Sequence, residues 1–219
     1  MGFRVVCISR TTAAGGENIG RAVAQRLGFR YVDEQIIERA AQQAQVDPAV
    51  VAAAEHRQPL LRRLLDKITM GAELAGTVTL GTGVPVDAFV PPPAANRADT
   101  NDLRVLIRAA IHEVAGAGQA VIVAHAASTA LGSTEGVLRV LVTASTDTRV
   151  RRVAEFERIV EAEAERRIAA SDRERHEYFQ RFYKLQEELP THYDLVINTD
   201  VLTAAQAVDM VLAAAQAPA

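Results

Sequence analysis

The sequence predicts an α/β fold of three layers, a parallel sheet of about five strands covered by helices on both faces. Three observations carry this. Short apolar runs alternate with stretches of helical periodicity along most of the chain, as in Arg4–Ser9, Arg30–Val32, Ala120–Ala124, Leu138–Thr143 and Leu195–Asn198. Strands joined by helices must run parallel, and strands buried on both faces read as unbroken apolar runs. The first run ends in the turn RTTAAGGENIG, which opens directly into a helix. At 219 residues and 49% hydrophobic content, the chain suffices for the core of one domain spanning 1–219.

The helices follow in order. After the first strand, the periodicity predicts a helix from about Asn18 to Leu27, stopped at Gly28, and a second over Glu34–Gln45. Asp47-Pro48 then offers a cap and a first-turn proline for a helix ending near His56, and Pro59 starts another helical run. From Ala75 to Ala98 the periodicity is lost, and Pro91, Pro92 and Pro93 stand together, which predicts an irregular and mobile connection. Thr100 or Asn101 restarts a helix to about Ala117. Thr146 can cap a helix beginning DTRVRRVAEF, Glu155–Glu188 reads as one or two long exposed helices, and Thr203 caps the last helix, AAQAVDMVLAAA.

Composition excludes several classes of function. A net charge of −3 over a mixed-charge surface provides no polybasic footprint for nucleic acid, and no apolar run approaches the ~20 residues a membrane span needs. The opening MGFRVVCIS reads as a strand and not a secretory leader, so a cytoplasmic protein is expected. Cys7 is the only cysteine, which leaves no disulfide framework and no Cys/His metal spacing. Lys67 and Lys184 are the only lysines, so any phosphate chemistry falls to arginine, which is permanently charged and grips phosphate with two parallel N–H donors.

The turn between the first strand and first helix is where such chemistry belongs. A glycine-rich turn entering a helix gathers free backbone N–H groups at the positive end of the helix dipole, an anion site. A working phosphate-binding loop ends in Gly-Lys-Ser/Thr, the lysine reaching the outer phosphates and the hydroxyl binding magnesium. Here Gly16, Glu17 and Asn18 stand at those positions, with Ser9, Arg10, Thr11, Thr12, Ala13, Ala14 and Gly15 before them.

Four stretches together resemble the cytidylate kinase-like family of P-loop nucleotide kinases. They are ISRTTAAGGENIGRAVAQRLGFRYVDEQIIERAA, GQAVIVAHAAS, LRVLVTASTDTRVRRV, and SDRERHEYFQRFY followed by YDLVINTDVLTAAQAVDMV. The resemblance implies transfer of the γ-phosphoryl group of ATP, with Mg2+, to a nucleoside monophosphate or similar small molecule. It implies a variable acceptor-side insertion over 57–101 and a helical lid over 155–188. Ser9, Thr11–Asn18 would cradle the ATP phosphates, with Arg10 as their cation. Asp33, Arg39 and His125 would face the acceptor, and Arg173 and Arg175 would close on the reaction from the lid. The expected partner is a small-molecule nucleotide.

The chain also departs from the family. Ala13 and Ala14 stand where glycine and serine are usual, Glu17 where a cation would help, and His125 where the family has arginine. A carboxylate at a helix N-terminus satisfies the dipole by itself and repels a phosphate. Hence the alternative expectation is a catalytically degenerate kinase fold that binds nucleotide, phosphate or a protein partner without turnover.

Overall fold

The computed structural model describes residues 2–33, 35–45, 48, 100–123 and 126–216. Five strands, β1 (Val5–Arg10), β2 (Arg30–Val32), β3 (Ala120–Val123), β4 (Val137–Thr143) and β5 (Leu195–Asn198), form one sheet in the order β2-β3-β1-β4-β5. Every pairing is parallel. The described helices are α1 (Gly16–Leu27), α2 (Gln35–Ala44), α3 (Thr100–Ala117), α4 (Ala127–Leu131), α5 (Thr146–Glu157), α6 (Glu161–Tyr183) and α7 (Ala204–Gln216).

Strand alternation divides the core into two layers. Val6 and Ile8 of β1 join Val121, Val123, Val140 and Val142 beneath Ile19 and Val23 of α1 and Val208 and Val211 of α7. Val5 and Cys7 turn the other way, with Ile122, toward Ile36 and Ala40 of α2 and Ile107 and Ile111 of α3. Each of the valine and isoleucine side chains contributes about 1.5–3 kcal/mol on full burial, so the two faces together dominate the stability of the sheet. Burial pushes the Cys7 thiol up to about 12, which keeps it protonated at neutral pH.

Because β1 is central and pairs β3 on one side and β4 on the other, its carboxyl end lies where the strand order reverses. Open α/β sheets bind ligands in that crevice. The glycine-bearing turn leaves the sheet at this edge.

Several boundaries differ from the sequence expectation. α1 begins at Gly16, two residues before Asn18, because Gly15 takes the left-handed conformation (φ 86°) that starts the helix early. Ser145, not Thr146, caps α5, its Oγ accepting from the Thr148 amide at 3.3 Å. The charged run after residue 155 is split at Arg158, left-handed at φ 56°, and the long helix ends at Lys184, also left-handed. α4 was not expected: its five residues, ASTAL, are too few to show a period. The expectations for Asp47–His56 (apart from Pro48), for Ala75–Ala98 and for the insertion up to residue 99 lie outside the described residues. No described helix is long and apolar enough to cross a membrane.

Candidate phosphate-binding site

The loop between β1 and α1 is held from behind by its carbonyls. The Thr11 amide donates to Val142 O of β4 at 3.1 Å, and the Ala14 amide closes a turn on Thr11 O at 3.1 Å. Arg152 of α5 donates to Ala13 O at 3.1 Å, and Thr199, just past β5, places its Oγ1 3.0 Å from Ala14 O. Ala13 itself is left-handed at φ 63°, a conformation that costs alanine on the order of 1 kcal/mol and that these contacts sustain.

In front, the amides of Gly15, Gly16, Glu17 and Asn18 meet no backbone or side-chain acceptor among the described residues, and no side chain caps α1. Arg10 crosses this open end. Its stem lies so close over Gly16 that a Cβ there would meet Arg10 Cβ at 2.6 Å and Cδ at 3.0 Å, so position 16 admits only glycine while Arg10 lies in this place. The Arg10 guanidinium ion-pairs with Glu17 at 2.6 Å, and its Nε is buried without a hydrogen-bond partner. Glu17 therefore satisfies Arg10 and not the helix amides.

Arg175 of α6 reaches the base of the loop. It donates to Arg10 O at 2.8 Å and to Ser9 Oγ at 3.2 Å, while its Nε and Nη2 form a fork on Glu188 at 2.8 and 2.6 Å. Tyr193 donates its hydroxyl to the same carboxylate. Burial and the neighbouring Glu188 charge raise the Tyr193 phenol far above its ordinary range, so it stays a donor. Two further contacts tie this helix down. The Thr12 and Ser171 hydroxyls lie 2.5 Å apart, and the deeply buried Arg149 of α5 grips Asp172 with two bonds of 2.7 Å.

Asp33 follows β2 and accepts from the Tyr31 hydroxyl at 3.2 Å; Arg21 stacks over the Tyr31 ring at 4.6 Å. Arg39 of α2 ion-pairs with Glu113 of α3 on the surface. Arg173 is exposed on α6. His125 falls outside the described residues. The structure thus gathers Ser9–Asn18 with Arg175, while Asp33 lies beside Tyr31 and Arg39 pairs with Glu113.

Arg152, Thr199, Glu188 and Tyr193 were missed by sequence reasoning. The only local signal was the arginine-rich start of α5; the other three are single residues without a motif, brought to the loop by the fold.

A model of the Cytidylate kinase-like family matches residues 5–201. No curated protein matches the sequence. The chain is similar in fold to an uncharacterised protein from Eubacterium ventriosum ATCC 27560, at a TM-score of 0.63 and 16% identity, covering 98% of this chain and 99% of that one. It also aligns with shikimate kinase from Bacteroides thetaiotaomicron, at a TM-score of 0.46 and 15% identity over 94% of this chain and 95% of that one. Shikimate kinase from Acinetobacter baumannii in complex with shikimate aligns at 0.48 and 10% identity, over 96% and 91%.

Proposed function

Because the chain belongs to the cytidylate kinase-like family, we propose that it is an ATP-dependent phosphotransferase acting on a nucleoside monophosphate or a similar small acceptor. The observation that carries this reading is the open end of α1, four amides without a partner among the described residues at the sheet's reversal point, with Arg10 laid across them. That donor set fits a polyphosphate, since amides and a helix dipole take up anionic oxygens and a guanidinium neutralises the charge that remains.

Bound ATP supplies the transferable phosphoryl group. The amides of Gly15–Asn18 hold its phosphates, Arg10 leaves Glu17 to meet them, and Arg175 keeps the Arg10 backbone in register through Ser9 and Arg10 O. Asp33 and Arg39 serve the acceptor side, Arg39 exchanging Glu113 for the acceptor's phosphate. Phosphoryl transfer is accelerated mainly by positioning and by positive charge around the migrating group, tasks that arginines perform without lysine. The residues do not match a P-loop magnesium site: Asn18 stands in the hydroxyl position, and no cluster of three acidic, histidine or cysteine side chains gathers among the described residues.

A second reading, nucleotide binding without turnover, is favoured by one specific feature. Two of the arginines that contact the loop are already engaged by carboxylates, Arg10 by Glu17 and Arg175 by Glu188. A transfer assay with γ-labelled ATP, each common nucleoside monophosphate, and magnesium present or absent separates the two. Under the kinase reading, Arg10→Ala weakens ATP binding and lowers kcat, and Arg39→Ala chiefly raises the acceptor KM. ATP binding without consumption against every acceptor establishes the second reading instead.

A further inference from the structure

We propose that Thr199 and Arg152 are positioning residues for phosphate binding, acting through the orientation of the loop peptides. This rests on the phosphate-binding reading of the loop given above.

Within a trans peptide, the carbonyl and the following amide point in opposite directions, and the described chain contains no cis bond. Whatever holds Ala14 O therefore aims the Gly15 N–H the opposite way. Thr199 Oγ1 lies 3.0 Å from Ala14 O, in a buried contact, so the Gly15 amide is turned away from β5 and toward the open end of α1. The same logic applies one peptide earlier, where Arg152 takes Ala13 O at 3.1 Å and the Ala14 amide turns to Thr11 O at 3.1 Å.

The two holders are themselves fixed. Arg152 donates to Thr199 Oγ1 at 3.0 Å and to Thr199 O at 2.6 Å. The Thr199 amide donates to Thr143 O at 2.8 Å, which anchors the residue to the end of β4. Left unheld, the Ala14–Gly15 peptide is free to rotate, and a rotated peptide would present a carbonyl where the anion expects a donor. Thr199 is 4% exposed and every bond of its hydroxyl is internal, so its effect on a ligand is exerted through the loop.

The test compares wild type with Thr199→Val, which keeps the shape and deletes the hydroxyl, and Thr199→Ser, which restores it. Dissociation constants for ATP and for inorganic tripolyphosphate are measured by calorimetry well below each variant's Tm, and the Gly15 amide resonance is followed by NMR during the titration. Thr199→Val should weaken both ligands about tenfold, the equivalent of about 1.4 kcal/mol and typical of one misplaced buried hydrogen-bonding group. Its Gly15 resonance should no longer shift as in wild type, and Thr199→Ser should recover both. Should Thr199→Val fail to fold, Arg152→Lys, which cannot span all three acceptors, carries the same expectation. A lowered Tm with unchanged affinity and an unchanged Gly15 shift would make the residue merely structural and overturn the proposal. Wild type that binds neither probe overturns the phosphate-binding reading together with it, whereas equal binding by wild type and both variants overturns this inference alone.

Discussion

Neutralising Glu17 should tighten polyphosphate binding, and the structure sets the size of the effect. The Glu17 carboxylate sits in the first turn of α1, ion-paired with Arg10 at 2.6 Å, with the two side chains 41% and 25% exposed. Such partial exposure calls for an effective dielectric constant between that of water and that of a protein surface. At about 40 and a separation of roughly 6 Å, one unit charge repels another by about 1.4 kcal/mol. Releasing Arg10 adds little cost, because an ion pair this exposed is worth about 0–1 kcal/mol. Glu17→Gln should therefore bind ATP about tenfold more tightly at low salt, and the gain should shrink strongly toward 1 M salt, where the screening length falls to about 3 Å. Calorimetric titration of both proteins at two ionic strengths reads this directly. Affinities equal within a factor of about two at low salt, with both proteins folded, would refute the electrostatic argument.

Other outcomes follow from the same geometry. Deleting the Arg175 head by Arg175→Ala removes the charged partner of Glu188, only 18% exposed, and leaves it the Tyr193 hydroxyl; stability should fall by about 2 kcal/mol in urea unfolding, somewhat less than for a fully buried broken pair; an unchanged midpoint would show that water replaces the guanidinium. Native Cys7 should resist maleimide at pH 8, since burial pushes its thiol up to about 12, and should react only after unfolding; rapid labelling would contradict the packing of β1. Asp194, held below its ordinary value of 3.8 by hydrogen bonds from Arg139, contributes stability that is complete above that value and lost as pH falls through the lowered one. Asp194→Asn should thus flatten the acid limb of the stability curve below about pH 4, and an identical acid limb in both proteins would count against the pair.

Much of the fold was legible because the relevant signals are local. The apolar runs located the five strands to within a residue or so, since in a parallel sheet buried on both faces burial and strand coincide along the sequence. The glycine turn likewise marked the loop, because only a backbone without Cβ admits the Arg10 stem over residue 16. Where the signal was tertiary, the sequence was silent. Nothing near Thr199 announces a partner at Ala14, 185 residues away, and nothing near Glu188 announces that it takes Arg175. Glu17 read as a partner of the helix dipole, whereas the structure pairs it with Arg10, because a guanidinium within reach outcompetes a diffuse partial charge. Arg175 read as a residue arriving on a lid, and the structure places it already at the base of the loop against Ser9 and Arg10 O.

Arg10 as the cation of this loop is decided by equilibrium ATP binding to wild type and Arg10→Ala at matched salt. Wild type should bind measurably, Arg10→Ala at least about tenfold more weakly, and the salt dependence should become shallower once that cation is gone. Equal affinity and equal salt dependence in the two proteins would contradict it.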